Sequence, residues 1–282
     1  MASKTSENRC QLWADAGLPG VVLMRADFTT QEFSPHVHDE MVIAVTEEGG
    51  AEYDSRGVRD LAEKGSTLVF NPGEPHAGRM GRSARWRYRA FYLDGQALDR
   101  LAADLEMPTE TLPCFQENKL QDPKFSAALQ GLHAAVEAEG SILGRQSGLL
   151  AAMAELYRRY GSAQPQACSL GDESSRAKRV AEFLREHYAE PVSLRSLAEL
   201  AEMSPFHLVR SFKKELGLPP HVYLTQLRLQ EAKHLLAQGH SLADTAAAVG
   251  FYDQSALSRH FKKIYGVTPG RYAKAVAFPR RQ

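Results

Sequence analysis

The chain has 282 residues, room for two domains of ordinary size, and its 34 Lys+Arg balance 34 Asp+Glu to a formal net charge of zero. Three cysteines, Cys10, Cys114 and Cys168, are odd in number and far apart, which argues against a disulfide framework or a cysteine zinc finger. No apolar run approaches the ~18 residues of a membrane span and the first ten residues lack a signal core, so a soluble, cytoplasmic protein with no membrane partner is expected.

From Gly20 to about Leu93 the pattern is β-rich. V-V-L-M-R-A-D-F, M-V-I-A-V, S-T-L-V-F and R-W-R-Y-R-A-F-Y-L are short apolar or alternating runs. Glu48-Gly49-Gly50, Ser55-Arg56-Gly57 and Lys64-Gly65-Ser66 supply turns between them. Strands this closely spaced predict an antiparallel barrel or sandwich. After Asp94 the texture changes. Asp122-Pro123 opens a helix with Phe125, Leu129, Leu132 and Val136 on one face, ended by Gly140. Ile142, Leu149, Leu150, Met153, Leu156 and Tyr157 mark a second amphipathic helix ending near Tyr160-Gly161. One small barrel can bury only part of these two stripes, so residues 123–160 are expected to hold a homodimer together. A polar stretch over 161–174 reads as an interdomain linker.

Beyond it nearly everything is helical: Arg176–Ala189, then Leu194–Ala201 capped by Ser193, then a helix opened by Ser204-Pro205 and stopped at Gly217. A long helix, His221–Gln238, follows. Ser241 caps Leu242–Val249, and Asp253 caps Gln254–Tyr265 before Gly266. The charge is divided unevenly. Residues 175–282 hold 17 Lys+Arg against 9 Asp+Glu, a surplus of eight, so the rest, with 17 against 25, carries a deficit of eight. A basic C-terminal third joined to an acidic partner is the footprint of a DNA-binding module beside another kind of domain.

That third contains a duplication. S-F-K-K-E-L-G-L-P-P-H-V-Y (211–223) and H-F-K-K-I-Y-G-V-T-P-G-R-Y (260–272) lie 49 residues apart, while Ser193, Leu194 and Ala198 match Ser241, Leu242 and Ala246 at 48. A unit that keeps its spacing except at one turn is a repeated supersecondary structure. Each copy reads as a helix–turn–helix, whose second helix fits the major groove. In the first copy Phe206, His207, Val209, Arg210, Lys213 and Lys214 are the candidate DNA-contacting residues; in the second they are Gln254, Ser255, Ser258, Arg259, Lys262 and Lys263. Leu208 with Phe212, and Leu257 with Phe261, should face the core. An 18-residue linking helix spans ~27 Å, which with the width of the flanking units allows the two reading helices to sit ~34 Å apart, one turn of DNA.

Residues ~175–275 resemble the DNA-binding domain of the AraC/XylS family of bacterial transcription regulators. The match is carried by L-A-D-T-A-A-A-V-G-F-Y-D-Q-S-A-L-S-R-H-F-K-K-I-Y-G-V-T-P-G-R-Y (242–272). The resemblance implies that the second helix of each unit reads a major groove, through Phe206, Val209 and Arg210 and through Gln254, Ser255 and Arg259. Val209 stands where relatives often carry a polar base-reader, which points either to a thymine methyl or to a first unit that contributes less specificity. Further implied are promoter half-sites as targets, a nucleoid location, and RNA polymerase as a partner if the protein activates.

F-S-P-H-V-H-D-E (33–40) with N-P-G-E-P-H (71–76) resembles the cupin sensor domain of the same family. The fold class expected is therefore two-domain α+β: a cupin-like β-barrel with following helices over 1–160, an all-α tandem helix–turn–helix domain over 175–275, and a tail at 276–282. A small barrel holds one small ligand. Arg25, His36, His38, His76, Trp86, Tyr88 and Tyr92 are the candidate effector-binding residues, with Arg25 supplying a cation for a carboxylate. The phrases G-G-x-E-Y and N-P-G-E-P-H-x-G look like those of family members encoded beside amino-acid exporters, which suggests an amino acid. Metal-dependent cupins bind their ion through an H-x-H pair, a later Glu and a downstream His. Here Glu40 comes only two residues after His38, and Val42 and Ile43, four and five after it, cannot ligate. No cofactor or metal is therefore expected; His36, His38, Glu40 and His76 are the set that would hold one. The expected function is a sequence-specific transcription regulator, not an enzyme. The alternatives are a metal-dependent cupin enzyme fused to a DNA-binding domain, or an architectural DNA-binding protein.

Overall fold

The computed structural model describes residues 8–105, 107, 114–139, 141–162 and 172–277. Cys168, Gly140, the middle of the expected linker and residues 278–282 of the expected tail lie outside them. In chain order the N-terminal elements are β1 (Arg9–Ala14), β2 (Val21–Phe28), β3 (Glu32–His36), β4 (Met41–Ser55), β5 (Val58–Glu63), β6 (Thr67–Phe70), β7 (His76–Arg79), β8 (Trp86–Leu93), α1 (Gly95–Asp104), β9 (Cys114–Phe115), β10 (Lys119–Leu120), α2 (Pro123–Glu137), α3 (Ile142–Tyr160) and β11 (Gly161–Ser162). The C-terminal elements are α4 (Asp172–Glu186), α5 (Leu194–Leu200), α6 (Pro205–Leu216), α7 (Pro220–Ala237), α8 (Leu242–Ala248), α9 (Gln254–Tyr265) and α10 (Pro269–Ala277). The described residues fall into two compact units, one holding most of the N-terminal elements and the other α4–α10, with residues 33–37 grouped with the second.

The N-terminal sheet is organised around one long strand. The first half of β4 pairs antiparallel with β6 and β8, and its second half with β5 and β7. The change of partners follows a bulge between Thr46 and Glu48. Gly49 sits at this corner with φ +69°, and a Cβ there would lie 1.7 Å from the Arg85 carbonyl oxygen, so only glycine fits. β1 and β2 extend the β8 side, β10 the β6 side, and β3 is tied in through β7.

Strand parity then sorts the side chains. Leu23, Ile43 and Phe91 are cross-strand neighbours, as are Val21, Met41 and Leu93. They belong to one buried cluster with Leu98 and Leu101 of α1, Phe125, Leu129 and Val136 of α2, and Leu149, Met153, Leu156 and Tyr157 of α3. The opposite face carries Met24, Ala44 and Ala90, then Ala26, Thr46 and Tyr88, then Val22, Val42 and Tyr92, with Phe28 opposite Trp86 at the end.

The helices therefore close one face of the sheet. This corrects the dimer surface expected from the sequence: Leu149, Met153, Leu156 and Tyr157 are spent inside the subunit, with Leu156 0% and Met153 1% exposed. Leu150 is half-buried, and the outward apolar residues of α3 are Ile142 and Leu143. Among the elements the sequence pattern did not mark are β1, β5, the helix α1, capped by the Asp94 carboxylate on Ala97 N, and the last helix, α10. Within the stretch expected as a linker, Gly161–Ser162 pair with β9 and α4 begins at Asp172.

In the C-terminal unit the two copies repeat at the level of caps. Ser193 and Ser241 cap α5 and α8, Ser204 and Asp253 cap α6 and α9, and Gly217 and Gly266 close α6 and α9 at φ +75° and +72°. Leu208, Phe212, Leu257 and Phe261 are all 0% exposed. Phe212 meets Tyr223 edge-on at 5.4 Å, and Phe261 meets Tyr272 at 5.5 Å. The step from 48 to 49 lies in the second turn, where five residues (249–253) replace four (201–204). There Gly250 has φ +80°, and a Cβ would come 2.4 Å from the Ala189 carbonyl oxygen. Among the described residues no helix is long and apolar enough to cross a membrane.

Candidate nucleic-acid interface and sensor site

α6 and α9 present equivalent outer faces because the i, i+4 pairs Leu208/Phe212 and Leu257/Phe261 turn the rest of each helix outward. Phe206, His207, Arg210, Lys213 and Lys214 are exposed on α6; Gln254, Ser255, Arg259, Lys262 and Lys263 are exposed on α9. Val209 and Ser258, which occupy the same repeat position, are half-buried in both copies. The lysine pairs lie in the last turns of their helices, where they also offset the negative end of the helix dipole. Two large aromatic side chains stand out into solvent, Phe206 at 78% and Tyr252 at 97%. Tyr252 precedes the Asp253 cap and was missed from sequence, where a tyrosine in a turn carries no periodic signal.

The face of the N-terminal sheet away from the helices holds the second site. His36, His38 and His76 each bring one ring nitrogen into a group whose members all lie within 4.8 Å of one another. His36 and His38 are buried and His76 is half-buried. His36 Nδ1 donates to the Ser34 carbonyl at 2.7 Å, and His76 Nδ1 donates to the Glu74 carbonyl at 2.9 Å. Phe70 stacks on His76 at 4.0 Å, and Tyr92 approaches His38 edge-on at 5.5 Å. Burial holds the His76 pKa below the ordinary imidazole value, against the pull of the Glu74 carbonyl and carboxylate.

Glu74, which sequence reasoning passed over, fixes the turn that delivers His76. Its carboxylate accepts from Ser55 Oγ (2.7 Å), Arg56 Nη2 (2.6 Å), Asn71 Nδ2 (2.8 Å) and Asn118 Nδ2 (2.5 Å). Burial works to raise its pKa, but the donors from Arg56, Asn118, Ser55 and Asn71 outweigh it and hold the group below the ordinary carboxylate value. Arg56 takes an uncommon φ of +51° in the β4–β5 turn and spends its guanidinium on Glu74 and the Phe115 and Gln116 carbonyls. Glu40 is not a member of the histidine group.

Trp86, Tyr88 and Tyr92 share the histidine face of the sheet, and Tyr92 lies edge-on to His38. Trp86 and Tyr88 lie 4.3 Å apart with Phe28 against Tyr88, farther along β8. Arg25 is a correction. It is the cross-strand partner of Arg89 on the helix-covered face, where it pairs with Glu137 at 3.1 Å. It cannot supply the cation to the interior.

Two family models match the chain: the AraC-like ligand binding domain over residues 18–153 and a helix-turn-helix domain over 197–275. The uncharacterized HTH-type transcriptional regulator YbfI of Bacillus subtilis (strain 168) is 33% identical over 225 residues, 80% of this chain and 81% of its own length. The chain belongs to the AraC family of transcriptional regulators. The arabinose operon regulatory protein of Salmonella typhimurium (strain LT2) is 27% identical over 239 residues, 82% of each chain. An apo form of ToxT from Vibrio cholerae strain SCE256, carrying a single substitution, has a similar fold, with a TM-score of 0.56 at 11% identity over 91% of this chain and 98% of its own. Unsaturated fatty acid bound wild-type ToxT from the same strain gives 0.52 at 11% identity over the whole of both chains. As an AraC-family member the protein is a DNA-binding transcriptional regulator with an N-terminal ligand-binding domain. Its relatives named here are regulators, and its overall class is α+β, a β-rich domain followed by a helical one.

Proposed function

We propose that this AraC-family regulator reads promoter half-sites with the exposed N-terminal faces of α6 and α9 and responds to a small carboxylate-bearing effector held on the histidine face of its N-terminal sheet. The observation that carries the DNA reading is the duplicated exposure of Arg210 and Arg259 at one repeat position, outside a pair of fully buried side chains in each copy. An exposed arginine on a groove-sized helix suits bidentate contact with guanine, Gln254 suits adenine, and Phe206 suits a thymine methyl. The lysine pairs take phosphates and set the register. The 18 residues of α7 span ~27 Å, in keeping with reading helices one turn of DNA apart.

For the effector, the aromatic and imidazole lining favours a compact molecule with an apolar body and one anionic end. The fatty acid carried by ToxT is of this kind, and so is an amino acid. Effector binding would bias half-site occupancy only through different affinity for two arrangements of the protein. A second copy would dock on the outward edge of α3, where Leu143 is 74% exposed beside a groove of about 400 Å³ lined by Leu18, Leu101 and Leu150. The protein would then work on the nucleoid in the cytoplasm, touching RNA polymerase where it activates.

Footprinting tests the DNA reading. Arg259→Ala should weaken specific binding by ~1–3 kcal/mol with an unchanged melting temperature, because it removes a base-edge contact and no core atom. Affinity of the full chain should also fall steeply between about 50 and 200 mM salt. An unchanged footprint at unchanged affinity would overturn the assignment of α9.

A further inference from the structure

We infer that His36, His38 and His76 bind one divalent transition-metal ion, of the zinc or cobalt type, leaving one coordination position open toward the interior of the N-terminal sheet. Three features of the chain support it. The ring nitrogens are already gathered within 4.8 Å of one another. In a tetrahedral site with metal–nitrogen bonds of ~2.0–2.1 Å, ligand nitrogens stand ~3.4 Å apart, so small side-chain rotations close the site. Next, His36 and His76 spend Nδ1–H on backbone carbonyls of Ser34 and Glu74. That tautomer makes Nε2 the ligating atom of each ring and holds its orientation, as outer hydrogen bonds do around histidine-bound metals. Finally, the frame is rigid. His76 is clamped by the Phe70 stack and by the Glu74 turn, whose carboxylate is committed to Arg56, Ser55, Asn71 and Asn118.

The donor set also selects the ion and its fourth ligand. Imidazole alone suits zinc, cobalt, nickel, copper or iron, and does not suit calcium or magnesium, which require oxygen. Three neutral ligands leave the ion's two positive charges uncompensated in a largely buried place, so the fourth donor should be anionic: hydroxide, or the carboxylate of an effector. The latter half deepens the effector reading and rests on it; metal uptake itself does not.

The full chain, stripped with EDTA, is titrated with Co²⁺ while its visible absorption is followed, and Zn²⁺ is then added in competition. The expected result is one Co²⁺ per chain with the intense bands of a four-coordinate ion, displaced by Zn²⁺. His38→Ala and His76→Ala should each weaken uptake by at least ~100-fold. His240→Ala, an exposed histidine of the other unit, should leave it unchanged. Should an alanine variant fail to melt cooperatively, His38→Gln, which keeps polarity and bulk, replaces it. Absence of four-coordinate bands, or uptake that survives both substitutions, overturns the inference. If uptake fails while the same stripped protein still binds its operator, the metal inference alone has failed.

Discussion

Removing the titration of His133 should flatten the acid side of the stability curve. His133 lies on α2, 0% exposed, between the rings of Trp13 and Phe91. Its Nδ1 accepts from Arg89 Nη1 at 2.9 Å, and its Nε2–H donates to the Met24 carbonyl at 3.1 Å. A second ring proton would have to point at a guanidinium. Burial first and the Arg89 charge second press its pKa from 6.5 to about 4, against the pull of the Met24 carbonyl and Glu137. The charged groups around it are Arg89 on β8, Arg25 on β2, Glu47 on β4 and Glu137 on α2, joined in one ion-pair network. Between about pH 6.5 and 4 the unfolded chain holds a proton here that the folded chain does not. Stability is therefore complete above the unfolded value and is lost as pH falls through that window. From about pH 7.5 to about pH 5 the loss from this one group is about 2 kcal/mol. Glu137, held below the ordinary carboxylate value by Arg89 and Arg25 despite its burial, begins to give way only below about pH 4.5, outside the range from pH 7.5 to 5. His133→Gln retains one acceptor and one donor but has no proton to gain. In urea unfolding of the full chain at the two pH values, the wild type should lose about 2 kcal/mol more than the variant. Equal losses would refute a neutral, buried imidazole at this position.

Asp15→Ala should destabilise the N-terminal domain by about 3–5 kcal/mol, seen as a lower urea midpoint, because it leaves the buried Arg145 guanidinium without its carboxylate. Tyr252→Ala should lower operator affinity by roughly fivefold through a lost backbone contact, with no change in melting temperature, since the side chain is 97% exposed. Leu143→Glu should yield a folded monomer by sedimentation, whereas Leu156→Glu should unfold the domain, because only the first side chain faces outward. A wild-type chain that already sediments as a monomer at micromolar concentration would remove α3 from consideration as a dimer contact.

The helix–turn–helix pair was legible in the sequence because its determinants are local. Serine and aspartate caps, glycine stops and the 3.6-residue spacing of Leu208/Phe212 and Leu257/Phe261 act within a turn or two of chain, and duplication made each copy a check on the other. The strand alternation of Trp86, Tyr88 and Tyr92 was legible for the same reason. Which face each strand turns inward was not. Arg25 looked available to the interior until pairing with Arg89 placed it under α2, and register is a relation between distant segments that no single strand encodes. The apolar stripe of α3 likewise shows that a surface must be covered without saying by what. The structure covers it with the sheet of the same subunit, leaving Leu143 outside. The gathering of His36, His38 and His76 depends on the same kind of long-range agreement. A carboxylate at Glu74, fed by donors from positions 55, 56, 71 and 118, holds the turn that carries the third imidazole to the other two. Periodicity and caps are written in neighbours along the chain; a site is written in neighbours across it, and only the packed sheet brings those together.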